Sequence, residues 1–169
     1  MLKKTVLKLL MLLMLVPFAS CKKWLDLQPL DGLTGAEYWK TKEQVAAATG
    51  CYISLTGSQT GARSNTESFF VWGELRADML TSTLQTTAEQ IDVINVNMLP
   101  SNSIANWRGI YETINYCNTV IDYAPGVLAQ DATFTQAALD KAVAEVKTIR
   151  ALMYFYLVRT FDQVPLKLK

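Results

Sequence analysis

The stretch "WRGIYETINYCNTVIDYAPG", residues 107–126, decides the fold class. Trp107, Ile110, Ile114, Cys117, Ile121 and Ala124 recur at spacings of three and four, which places them on one face of an α-helix of about five turns. Pro125-Gly126 is expected to stop that helix. Downstream, Leu139, Ala142, Val146, Ile149, Met153 and Tyr156 repeat the spacing. The sequence "TFTQ" (133–136) fits a capping box at the start of this second helix. Its later part, "ALMYFYLV" (151–158), is apolar all round and is expected to be buried on several sides. Two such helices joined by a short loop form an antiparallel αα-hairpin.

Working upstream, "TGAE" (34–37), "TKEQ" (41–44) and "TAEQ" (87–90) match the same S/T-x-x-E/Q cap pattern. A long helix is predicted from near Lys42, with Val45, Ala48, Tyr52 and Leu55 on one side and Cys51 beside them. A Gly/Ser/Thr loop, 56–66, ends it. A further helix is predicted over 68–79, "SFFVWGELRADM", followed by a polar loop at 81–87 and a short segment to about Leu99 that includes the β-tolerant "INVNM". The sum is an all-α chain of helices packed pairwise, layered or solenoid-like. No internal repeat stands out, and no GxGxxG, P-loop or CxxC motif occurs.

The 169 residues are 50% apolar and 18% charged, a composition that folds. There is no histidine, which excludes Ser-His-Asp and Cys-His catalysis and imidazole metal sites within this chain. Lys3, Lys4 and Lys8 carry the small positive balance; without residues 1–20 there are 13 basic and 15 acidic side chains. No basic surface argues for nucleic acid.

The opening runs from those lysines into Leu, Met and Val at 9–16, then "PFAS" before Cys21. This is the order of a secretory signal peptide. As a helix, 9–19 would reach about 16 Å, roughly half of a ~30 Å hydrocarbon core. Ala19 and Ser20 before Cys21 resemble the lipobox of bacterial lipoproteins, in which the cysteine becomes the acylated first residue. Phe18 stands where that pattern usually has Leu or Val, and the alternative is an ordinary cysteine beyond an ordinary cleavage site. A single acyl chain anchors only reversibly, whereas several hold firmly. Residues 21–35 read as an extended leader broken by Pro29 and Asp31-Gly32. In it, Trp24 with Lys22 and Lys23 suits either the lipid headgroup level or a fold back onto the domain. Cys51 and Cys117 lie on helical apolar stripes and read as buried free thiols, although export would permit a disulfide.

In chain order, Cys21, "WLDLQP" (24–29), "EYWKTKEQ" (37–44) and "GELRAD" (73–78) are followed by Trp107, Tyr111, Ile114, Asn115, Asn118 and Ile121. Then come Glu145, Arg150-Ala151, Tyr154-Phe155, Leu157, Val158, Arg159, Phe161 and Val164-Pro165-Leu166. This series resembles the SusD-like (RagB/SusD) family of outer-membrane lipoproteins. "FDQVPL" replaces the family's usual "FGDVPL", which implies a looser turn. Family members continue well past this point, so the chain reads as the N-terminal part of a larger protein or a truncated product.

The resemblance implies three regions: a lipoprotein signal peptide (1–20), a lipidated leader (21–35) and a helical domain (36–169) of tetratricopeptide-like antiparallel hairpins. It implies a surface-exposed, lipid-anchored protein of the cell outer membrane that binds a glycan or other nutrient. It would work with a TonB-dependent SusC-like transporter to import oligosaccharides, without a cofactor and without being an enzyme. The alternative is a helical scaffold that docks the transporter and has no ligand site of its own here. A glycoside hydrolase would need paired carboxylates, and no acid pair has a distinctive setting.

Sugar recognition needs aromatic faces together with amide, carboxylate or guanidinium groups. Trp72, Glu74, Arg76 and Asp78, just before the polar loop 81–87, are the ligand-binding candidates. The competing reading is a helix-surface ion pair with Trp72 in the core. Trp107 and Tyr111, on the most regular stripe, are assigned to core packing. Asn115 and Asn118 are assigned to hydrogen bonds between helices or to loops. Arg150 and Arg159 are assigned to carboxylates such as Glu145 or to loop carbonyls, because buried unpaired arginines are costly.

Overall fold

Residues 35–56 and 64–169 are described by the computed structural model. The expectations for 1–34 (the signal peptide, the leader with Trp24, the cap at Thr34 and the acylation site Cys21) and for the loop at 57–63 lie outside the described residues. The chain divides into two units, Met1–Tyr38 and Trp39–Lys169. The described part of the first is one short helix, α1 (Gly35–Tyr38).

In the second unit Thr41 opens α2 (Lys42–Thr49) with the reciprocal cap that its sequence predicts. Its hydroxyl accepts from the Gln44 amide at 3.4 Å, and its own amide donates to the Gln44 side chain at 3.0 Å. The helix is not long. A 3-10 turn follows at Gly50–Tyr52, then α3 (Ile53–Thr56). Thr49, Ser54 and Thr56 hydroxyls each bond a carbonyl three residues back, and such local bonds compete with the helical ladder beside a glycine. The tighter turn keeps Cys51 inside and leaves Tyr52 exposed, so the expected stripe is broken there.

Ser64 caps α4 (Asn65–Arg76) by accepting from the Glu67 amide at 3.2 Å. This helix starts and ends earlier than the 68–79 predicted, because Ser64 supplies the cap and Asp78 takes a left-handed φ of 57°. Thr87 and Gln90 form the predicted capping box of α5 (Ala88–Ile94). A 3-10 turn at Ser103–Ala105 leads to the two long helices, α6 (Arg108–Val127) and α7 (Gln136–Phe161). No strand occurs among the described residues, so the architecture is all-α. None of the described helices is long and apolar enough to cross a membrane.

The hairpin of α6 and α7 carries the core. Ile110 and Ile114 pack with Met153 and Leu157, and Leu55, Phe69, Tyr111, Tyr154, Phe161 and Val164 close around them. Phe69 stacks on Tyr156 with ring centroids 3.7 Å apart, and buried Trp39 stacks on Tyr123 at 5.7 Å. Three expectations fail here. Pro125 does not stop α6 but sits inside its last turn. The segment 151–158 is covered on one side only, with Leu152, Phe155 and Val158 at 43%, 53% and 52% exposure. And α7 is capped by Thr135, whose hydroxyl accepts from the Ala138 amide at 3.2 Å, not by Thr133.

Thr133 is occupied elsewhere. Its amide and hydroxyl both donate to Asp131 Oδ1, at 2.8 and 2.6 Å. The other oxygen of Asp131 accepts the Lys42 amide at 2.9 Å, so the loop between α6 and α7 caps the first turn of α2. These bonds, the Thr133 hydroxyl first and the Lys42 and Thr133 amides next, hold the Asp131 carboxyl down at about 2 against an ordinary 3.8. A carboxyl depressed in the folded state contributes stability above its unfolded value and loses it as pH falls through the folded one. Asp131 therefore contributes an acid-sensitive share between about pH 4 and pH 2. Asp131→Asn is expected to lower the melting temperature at pH 7 and to flatten the loss of stability across that window, read from melts at half-unit pH steps.

Candidate functional site

Trp72 lies on α4, and its indole Nε1 donates to the Ile104 carbonyl at 2.9 Å. That carbonyl belongs to the 3-10 turn Ser103–Ala105, which α5 holds in place. Glu89 accepts from the Ser103 amide and hydroxyl at 2.9 and 2.5 Å, and Asn102 donates to the Glu89 carbonyl at 3.0 Å. The indole is thereby fixed from its polar edge.

Beside it opens a cavity of about 650 Å³ whose walls include Trp72, Arg76, Val96, Trp107 and Phe161. The Phe161 ring meets Trp72 edge-on at 5.8 Å and tilts against Trp107 at 5.5 Å. Arg76 lays its guanidinium over the Trp72 ring, 5.3 Å from the centroid. Val96 borders the cavity with a φ of 57°, a rare conformation for a β-branched residue. The result is an aromatic wall with a guanidinium at its edge, able to cover an apolar ligand face and donate to oxygens beside it.

Of the four predicted ligand residues, the structure brings Trp72 and Arg76 to this cavity and leaves Glu74 and Asp78 outside its lining. No ion pair links Glu74, Arg76 or Asp78 among the described residues. Trp107, assigned from the sequence to core packing in preference to ligand stacking, also lines the cavity. It precedes α6 instead of belonging to its buried face, and it stays 43% exposed. Its ring meets Tyr111 edge-on at 5.9 Å. The available signal was its position at the end of the stripe, where a neighbouring helix has nothing left to cover.

The other motif residues pin the C-terminal strap 164–167. The Tyr111 hydroxyl donates to the Pro165 carbonyl at 2.7 Å, and burial, with Tyr154 second, raises its pKa. The Tyr154 hydroxyl donates to the Lys167 carbonyl at 2.8 Å and accepts the Lys167 amide at 2.6 Å. Buried Asn118 donates to that same carbonyl at 3.1 Å and accepts from Arg150 at 2.7 Å. The partner of Arg150 is therefore an amide oxygen, while Glu145 stays exposed. Arg159 lies over the Phe155 ring at 5.3 Å. Asn115 is exposed instead of bridging helices. No cluster of three or more His, Cys, Asp or Glu side chains able to hold a metal occurs among the described residues.

The chain is 28% identical over 159 residues to SusD-like protein P38 of Formosa agariphila, a match covering 93% of this chain and 29% of that protein. It is 27% identical over 148 residues to a SusD-like protein of Bacteroides ovatus, covering 87% of this chain and 26% of the relative. Both matches support membership of the SusD-like family. The chain spans less than a third of either curated relative. No family model matches it, and neither does any solved structure.

Where the SusD-like pattern has glycine after α7, this chain has Asp162. Asp162 takes φ 63° and ψ −92°, and its amide still donates to the Val158 carbonyl at 2.9 Å. A side chain at that backbone geometry costs about 1–3 kcal/mol, partly offset by the extra freedom that a glycine would lose on folding. Asp162→Gly is expected to stabilise the chain by about 1 kcal/mol, measured as a higher urea midpoint at unchanged slope.

Proposed function

We propose that this chain is a non-catalytic, glycan- or nutrient-binding lipoprotein of the outer membrane, partnered with a TonB-dependent SusC-like transporter. In this reading residues 1–20 are a lipoprotein signal peptide, and acylated Cys21 with the leader 21–35 ties the chain to the outer-membrane lipid. Residues 36–169 present the ligand on tetratricopeptide-like hairpins. What carries the reading is the similarity to SusD-like proteins over 93% and 87% of the chain. The opening segment supports export, since a basic start, a short apolar run and small residues before Cys21 stand in the order of an exported, acylated chain. The binding surface assigned here is the cavity of Trp72, Trp107, Phe161 and Arg76, because a sugar's C–H face stacks on an indole while its hydroxyls take the guanidinium.

A second reading has one observation in its favour. The exposed apolar face of α7, Leu152, Phe155 and Val158, suits a scaffold that docks another polypeptide and carries no ligand site of its own.

Affinity electrophoresis on a panel of polysaccharides separates the two. The intact chain is expected to be retarded by at least one glycan, and Trp107→Ala or Trp72→Ala should weaken that binding by about tenfold, equivalent to about 1.4 kcal/mol. Unchanged retardation of both variants would remove the site from this cavity. Retardation by no glycan would leave the docking scaffold as the function.

A further inference from the structure

Cys51 and Cys117 come from segments far apart in sequence, yet their sulfurs lie 3.7 Å apart. Both are free and buried, Cys51 at 6% exposure and Cys117 at 0%. Cys51 sits in the 3-10 turn Gly50–Tyr52, and Cys117 sits on the buried face of α6. The two thiols differ in access. Cys51 lines a cavity of about 300 Å³ between Trp39, Tyr116 and Val120, whereas Cys117 does not line it.

We propose that Cys51 and Cys117 are a dithiol that closes to a disulfide by exchange with a small disulfide oxidant entering the cavity at Cys51. Shortening 3.7 Å to an ordinary S–S bond asks for an approach of about 1.7 Å, within the reach of side-chain rotation at either cysteine. The 3-10 turn that carries Cys51 is short and poorly bonded compared with α6, so the adjustment falls there.

The order of events follows from access. The Cys51 thiolate attacks one sulfur of the oxidant, whose S–S bond breaks, and the first thiolate leaves with the proton that Cys51 gave up. Cys117, deprotonated in turn, attacks the Cys51 sulfur of the mixed disulfide, and the second thiolate leaves with that proton. Two protein thiols are oxidised to one disulfide, and one oxidant disulfide is reduced to two thiols. The hydrogen bond between the pair favours the same direction, lowering the Cys51 thiol and, together with burial, raising Cys117.

The bond would tie the segment 42–56 to α6. At present a hydroxyl contact between Ser54 and Thr113 at 2.8 Å, the thiol contact itself and apolar packing join them. It would close a long loop in the unfolded chain, which is where a disulfide acts most strongly.

The test uses the native full-length chain, reduced and then incubated with glutathione disulfide. Expected are a mass loss of about 2 Da, a proteolytic peptide joining residues 51 and 117, and a melting temperature higher by about 5–10 °C. Cys117→Ala should trap glutathione on Cys51, a gain of about 305 Da, while Cys51→Ala should leave Cys117 unmodified. The proposal is overturned if both thiols can still be alkylated after oxidation and unfolding, or if the bond runs to Cys21. An adduct forming on Cys117 instead of Cys51 would overturn the order of attack.

Discussion

The buried seam between α6 and α7 is the constraint on which the rest depends. Ile114, Met153 and Leu157 are sealed from solvent, with Ile110 beside them in the same cluster. At about 1.5–3 kcal/mol for each fully buried side chain of this size, the seam outweighs any single polar contact in the chain. It also sets geometry. Antiparallel pairing brings the start of α6, with Trp107, beside the end of α7, with Phe161, and the two rings meet at 5.5 Å. The cavity wall and the anchoring of the strap at 164–167 both follow from that register.

A small buried polar network fixes how α3 and α4 join the hairpin. Asn65, the first residue of α4, donates to the Thr113 hydroxyl at 2.8 Å and to the Gly109 carbonyl at 3.1 Å. Thr113 also meets Ser54 at 2.8 Å. Position 109 admits little else, since a Cβ there would stand 2.9 Å from Asn65 Oδ1. Every fully buried side-chain polar atom among the described residues has a partner, so the network adds specificity without leaving a desolvated group unpaired. Where α4 sits decides where Trp72 points, and so links this network to the candidate site.

Much of this was legible in the sequence. Spacing alone located the hairpin, and the caps at Thr41 and Thr87 stand where the S/T-x-x-Q pattern puts them. The same pattern failed at 133–136, because Asp131 lies two residues before Thr133 and takes its hydroxyl for a turn. It could not foresee that hydroxyls near Gly50 would break a helix into three pieces. Periodicity also says which residues share a face but not whether anything covers that face. Hence Trp107, Leu152, Phe155 and Val158, apolar by sequence, emerge exposed, and one of them walls the candidate site.

The stability of the chain rests on one cooperative hairpin, and the candidate binding surface is a consequence of its register. Native-state hydrogen exchange on the full chain tests this most directly. The slowest amides should be those at 110–124 and 146–157, exchanging through a single shared opening, while 42–56 and 164–167 open at lower free energy. Separate exchange of α6 and α7, or greater protection of α4 than of either, would contradict it.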